Sequence, residues 1–219
     1  AEPLYSQALA MFQRLFKGAH PDVAKSLNNL AGLYYSQGRY GEAEPLYKQA
    51  LAMFQRLFEG DHPDVAKSLN NLAFFCSYSE AESLHQQVLA MRQRLFNGDH
   101  PDVASSLNNL AGLYDCQGKY SEAESLHHQA LAMRQRLFKG DHPDVALSLN
   151  NLALLYKSQG KYSEAEPLYS QALAMFQRLF KGAHPDVAKS LNNLAGLYYS
   201  QGRYGEAEPL YKQALAMFQ

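Results

Sequence analysis

The chain has 219 residues, 47% of them hydrophobic, and its 20 Lys and Arg offset 21 Asp and Glu to leave a net charge of −1. That balance gives no overall field for nucleic acid or an anionic membrane, and no apolar run approaches the ~20 residues of a membrane span. Its two cysteines, Cys76 and Cys116, lack CxxC spacing, which fits incidental thiols in a reducing, cytoplasmic compartment.

The dominant pattern is repetition. His-Pro-Asp-Val-Ala recurs at His20, His62, His100, His142 and His184, at spacings of 42, 38, 42 and 42. A fixed period of this size predicts stacked repeats, each too small to bury its own apolar face. Residues 1–19 form a partial repeat, and 20–61, 62–99, 100–141, 142–183 and 184–219 follow as one array, the last incomplete. Residues 165–219 reproduce residues 1–55 without change, and because the chain opens and closes inside a repeat it reads as a piece of a longer protein. Near-identical repeats present the same few side chains again and again, which argues against a catalytic centre. No nucleophile elbow, phosphate loop or zinc spacing occurs, and nothing calls for a metal or a cofactor.

Within repeat 20–61, His20 reads as a cap before Pro21, a residue suited to a first helical position, and apolar residues follow at Val23, Leu27, Leu30, Ala31 and Tyr34. Gly38 is placed for the left-handed turn that ends this first helix. A longer second helix carries Ala43, Leu46, Tyr47, Ala50, Leu51, Phe54, Leu57 and Phe58, and the short turn makes the pair antiparallel. Three second helices are expected to start at capping boxes, Ser79 to Glu82, Ser121 to Glu124 and Ser163 to Glu166, with Gly41 and Gly205 replacing the cap elsewhere. Pro45, Pro167 and Pro209 are expected within or just after the first turn, where a missing N–H costs little.

Repeat 62–99 lacks the four residues matching Tyr35, Ser36, Gln37 and Gly38. Either its first helix ends a turn early, or the shortened hinge straightens and the two helices exchange neighbours between molecules. In later repeats His85 and His127 replace the tyrosine of Tyr47, and read as satisfied interface histidines. Arg14, Arg56, Arg92, Arg94, Arg134, Arg136 and Arg178 fall late in second helices, where cations suit the negative end of the dipole.

The series Leu27-x-x-Leu30-Ala31-x-x-Tyr34, followed by Gly38, Tyr40, Ala43, Tyr47 and Ala50, resembles the tetratricopeptide repeat, with Leu27 where that family usually has tryptophan. The longer second helix, and the phrases His-Pro-Asp-Val-Ala, Leu-Asn-Asn-Leu-Ala and Gly-Lys-Tyr-Ser-Glu-Ala-Glu, are similar to the repeats of kinesin light chain. The resemblance implies an all-α, right-handed superhelical solenoid of antiparallel helix pairs. It also implies a scaffold that takes a protein partner as an extended peptide in its concave groove.

At about 100° per residue, Lys25, Asn29, Gly32 and Ser36 lie opposite Leu27. Along this stripe and its copies the candidate ligand residues are Lys25, Asn29, Lys67, Asn71, Phe74, Asn109, Asn151, Leu154, Lys189 and Asn193. An amide both donates and accepts, so five asparagines could satisfy the backbone of an extended peptide; alternatively, they bond between neighbouring helices. Asn28 and its copies, nearer the buried side, read as structural. Gly32, Gly112 and Gly196 sit on the stripe at a helical cost of up to about 1 kcal/mol each, which suggests close approach there. The first and last helices, 1–16 and 206–219, each lack a neighbouring helix on one side, so head-to-tail self-association of a structural array is the competing expectation.

Overall fold

The computed structural model describes residues 2–217; Ala1, Phe218 and Gln219, the extremes of the expected terminal helices, lie outside them. Among the described residues there is no strand. Helices α1 (Glu2–Leu15), α2 (Pro21–Ser36), α3 (Tyr40–Leu57), α4 (Pro63–Leu72) and α5 (Tyr78–Leu95), with a 3-10 turn at Ala73–Phe75, form a compact N-terminal body that ends at Gly98. Helices α6 (Pro101–Cys116), α7 (Tyr120–Leu137), α8 (Pro143–Ser158), α9 (Tyr162–Leu179), α10 (Pro185–Ser200) and α11 (Tyr204–Ala216) form a C-terminal body that begins at Asp99. Within each body consecutive helices pack in pairs.

The repeated phrase acts as a helix-starting device. Each proline opens its helix, and the preceding histidine, in extended conformation, accepts the backbone N–H of the aspartate two residues on through Nδ1, at 3.1–3.2 Å. The imidazole also stacks on the phenylalanine that directly follows the preceding helix, with ring centroids 3.4 Å apart for Phe16 and His20 and 3.5 Å for Phe138 and His142. The histidines are caps, as their position before proline predicts. At the other end Gly38, Gly118, Gly160 and Gly202 turn left-handed with φ of 73–75°, and the N–H of the next residue reaches back to the first helix, as from Arg39 to Tyr34 O at 2.9 Å.

Two expectations about the second helices are corrected. Helices α3, α7, α9 and α11 start at tyrosine, after Arg39, Lys119, Lys161 and Arg203, which make no side-chain cap; Ser121 and Ser163 lie inside the first turn. The turn glycine already presents the chain in helical direction, so no side-chain cap is needed to set it. The capping box that does form is Ser77 with Glu80, two residues ahead of Ser79, in the repeat that has lost this glycine. Pro45, Pro167 and Pro209 are each the sixth helical residue, past the four N–H groups that lack helical partners, so each removes a backbone hydrogen bond.

Helix α4 has 10 residues against 16 in α2. It ends early and does not merge with α5, because Cys76 turns extended and Ser77 caps a new start. Phe75 fills the space of the lost turn, with its ring 5.8 Å from Tyr35, 6.4 Å from Tyr40 and 5.8 Å from Tyr47.

Alanines at close helix contacts and larger apolar residues between them form the cores. Phe54, Val65, Leu69, Val88 and Met91 share a core in the N-terminal body; Val145, Leu149, Leu152, Leu155, Tyr169, Phe176, Leu191 and Leu197 share one in the C-terminal body. Each large side chain buried this way contributes about 1.5–3 kcal/mol. Asn28 and two of its copies bond between first helices, from Asn28 Nδ2 to Ser68 Oγ at 3.0 Å, Asn108 to Ser148 at 3.3 Å and Asn150 to Ser190 at 3.0 Å. The structural role expected for them is what they have. Glutamates at the starts of second helices hold the next repeat, as Glu166 does by accepting from Tyr198 Oη and Arg203. No helix of the described residues is long and apolar enough to cross a membrane.

Candidate functional site

The stripe opposite Leu27 stays out of the cores. Lys25, Asn29, Lys67 and Lys189 are exposed, Asn71, Asn109, Asn151 and Asn193 half-buried, and the apolar Phe74 and Leu154 are 60% and 54% exposed. The N-terminal body holds Lys25, Asn29, Lys67, Asn71 and Phe74. There Lys25 Nζ lies 4.0 Å from Asp64 Oδ2, and the Phe74 ring lies 5.8 Å from Tyr35.

In the C-terminal body the stripe residues converge. Leu147 and Leu154 of α8, with Lys189 and Asn193 of α10, border a cavity of about 160 Å³, whose other walls are Asn150, Asn151 and Asp186. Phe176 of α9 reaches into it from beneath, so an apolar floor is rimmed by amides. Asn151, Leu154, Lys189 and Asn193 thus meet in one place. Among the described residues, no hydrogen bond ties the Asn151 or Asn193 side chain to a neighbouring helix.

A second cavity, of about 140 Å³, lies alongside between α6 and α8, lined by Asn108, Gly112, Asp115, His127, Asn151 and Leu154. Its origin is a size difference. A Cβ on Gly32 would sit 3.4 Å from Tyr47 Oη, and one on Gly196 would sit 3.2 Å from Lys157 Nζ and 3.5 Å from Tyr211 Oη. The approach expected at these glycines therefore comes from the protein's own side chains. At Gly112 nothing lies within 4 Å, because the shorter His127 stands where those repeats have tyrosine.

His127 is 4% exposed, and its Nδ1 lies 2.8 Å from Asn108 Oδ1. Burial pushes its pKa down to about 4, so the ring is neutral near pH 7. His85 differs from the expected satisfied histidine. Its buried Nδ1 has no partner, and burial lowers its pKa too.

Four of the second-helix arginines show two contrasting arrangements. Arg94, Arg136 and Arg178 reach out of their helices in bidentate pairs with Asp61, Asp99 and Asp141, with contacts of 2.6–2.9 Å. Arg134, expected to face the helix dipole, is instead 4% exposed. It donates to Ser148 Oγ at 2.8 Å, Asp144 O at 3.1 Å and Ser105 Oγ at 3.2 Å, while its Nε has no partner. It occupies the place of Phe176 one repeat later, and burial lowers its pKa.

Angles on the first helices do not single out Asp115, His127, Phe176 or Arg134, because all but Asp115 sit on second helices. Their signal lies in the 42-residue alignment, where Asp115 stands against Tyr35, Lys157 and Tyr199, and Arg134 against Phe54 and Phe176. No three His, Cys, Asp or Glu side chains come together as metal ligands among the described residues.

A family model described as tetratricopeptide repeat matches residues 1–56, 32–79, 76–136, 116–178 and 144–219. A solved Podosopora anserina protein of nearly identical TPR-like repeats, assigned as a kinesin light chain, is 29% identical with a TM-score of 0.70, covering 90% of this chain and 96% of its own. BtubC (BKLC) from P. vanneervenii is 25% identical with a TM-score of 0.78, over 99% of this chain and 89% of its own. A Rap protein solved with Competence and Sporulation Factor shares the fold at 17% identity, with a TM-score of 0.72, over 99% of this chain and 64% of its own. A search of curated protein sequences gives no significant match. The repeat phrases, the antiparallel helix pairs and the match along the whole length agree: the chain, whose repeats are similar to the kinesin light chain-like repeats of the Podosopora anserina structure, belongs to the tetratricopeptide repeat family.

Proposed function

We propose that the chain is a non-catalytic interaction scaffold whose C-terminal body binds an extended peptide segment of a partner along the α6, α8 and α10 face. The observation that carries this reading is the cavity between α8 and α10, where an apolar floor meets amides with open donors and acceptors. That combination suits a peptide, whose backbone needs both kinds of partner and whose side chains alternate into pockets. The free thiols Cys76 and Cys116 support a reducing, cytoplasmic setting. Fluorescence anisotropy with labelled leucine-containing heptapeptides tests the groove. Binding that is lost in Asn151→Ala combined with Leu154→Ser supports it; binding unchanged by that pair refutes it.

A second reading rests on exposed apolar faces. Helix α1 exposes Leu4, Met11 and Leu15, and α11 exposes Tyr211 and Leu215, surfaces through which copies could stack head to tail as a structural array. Sedimentation velocity across a concentration series separates the two: growth with concentration and no peptide retention favours stacking.

A further inference from the structure

The cavity at His127 breaks the repeat symmetry of the groove. In the 42-residue alignment Gly112, Asp115 and His127 occur together at one repeat; the corresponding residues are Gly32, Tyr35 and Tyr47, then Leu154, Lys157 and Tyr169, then Gly196, Tyr199 and Tyr211. A tyrosine fills the space in each of those repeats. Here the space is open, at about 140 Å³, or four to five times the roughly 30 Å³ that a water occupies.

The hydrogen-bond network fixes the chemistry of its wall. Asn108 donates through Nδ2 to Ser148 Oγ, so Oδ1 is the atom that faces His127 Nδ1 at 2.8 Å. An amide oxygen only accepts, so Nδ1 carries the proton, and the neutral ring is left with Nε2 as an acceptor. Asp115 is the one charged residue on the lining. Its Oδ1 lies 2.9 Å from Ser158 Oγ, and no cation pairs with it among the described residues. Asn151 completes the wall with an amide that can accept as well as donate. A concave site with an uncompensated carboxylate, an imidazole acceptor and an adaptable amide suits a group rich in N–H donors and positively charged.

We propose that this cavity takes the lysine or arginine side chain of a peptide lying in the groove, while the neighbouring cavity over Phe176 takes an apolar side chain of the same peptide. The assignment rests on the groove reading above and adds a register to it. The two cavities share Asn151 and Leu154, and an extended chain places side chains i and i+2 on one face about 7 Å apart. The recognised pattern is therefore a basic residue two positions from a leucine-sized one. On the lining of the apolar cavity Lys189 offsets Asp186, and Lys157 Nζ stands over Gly196, so the carboxylate without a cation on its own lining is the one at the Asp115 end.

The test is anisotropy with labelled heptapeptides that carry lysine, norleucine or glutamate two residues from a leucine, in both sequence directions. The lysine peptide is expected to bind at least fivefold tighter than the norleucine peptide, and the glutamate peptide weakest. Asp115→Asn should remove most of the lysine preference. His127→Tyr, which installs the residue α9 already carries, should close the cavity and remove the preference while leucine-dependent binding persists; circular dichroism verifies the fold of both variants. Equal binding of lysine and norleucine peptides, lost on Leu154→Ser, overturns the basic-residue site and leaves the groove intact. Failure of every peptide to bind overturns the groove reading and this inference with it.

Discussion

The buried His127 makes the C-terminal body sensitive to mild acid. Its pKa is about 4 in the folded chain against an ordinary 6.5, because a 4% exposed imidazole loses the hydration its charged form needs. A group whose pKa is lower when folded stabilises the fold above the unfolded value and loses that contribution as pH falls from 6.5 towards 4. At about 1.4 kcal/mol for each tenfold change in proton affinity, linkage gives a loss of about 2 kcal/mol between pH 7 and pH 5. The perturbation that isolates this contribution is His127→Tyr, a change the fold already accommodates at the equivalent Tyr169, which is buried, and at Tyr47, beside Gly32. The substitution leaves Asn108 Oδ1 unpaired, as Asn28 Oδ1 and Asn150 Oδ1 already are. Urea unfolding of both proteins at pH 7 and pH 5, with matched m-values, measures it. The natural chain should lose about 2 kcal/mol more than the variant on acidification, since the half-buried cap histidines, His85 and the carboxylates are common to both. An equal pH response in the two proteins would refute the reasoning.

Ser148 accepts from both Asn108 and Arg134, so Ser148→Ala should cost about 2–4 kcal/mol in chemical denaturation, more than the roughly 1–2 kcal/mol for Ser190→Ala, which strands Asn150 alone. Arg134→Phe replaces a buried guanidinium that has an unpaired Nε by the residue of α3 and α9, and should raise stability by about 1–3 kcal/mol; a loss of stability would mean that its three hydrogen bonds outweigh desolvation. Gly160 has φ of 73°, so Gly160→Ala should cost about 1 kcal/mol in the same assay. Arg136→Ala removes an exposed bidentate pair with Asp99, and its small destabilisation should vanish in 1 M salt.

Much of the architecture was legible in the sequence, because the signals that set it are local. Proline after histidine starts a helix, glycine ends it, and period-3.6 apolar residues assign the buried side within one element. The 42-residue recurrence then dictates that such pairs stack, and it gives Asn28 and its copies a structural place near the buried side. The stripe opposite Leu27 follows from the same arithmetic, since a residue's angle on its own helix is fixed by its number.

What one helix cannot report is what reaches it from another. Ser121 and Ser163 fit a capping pattern yet are not caps, because the glycine turn before them had already set the helix direction. Phe176, Arg134 and His127 belong by number to second helices, and packing alone carries them under or beside the first-helix groove. Whether Gly112 faces an open cavity or a hydroxyl depends on the length of a side chain fifteen residues away. Periodicity along the chain determined which residues share the stripe opposite Leu27, and non-local packing decided the shape, floor and charge of the cavities between them.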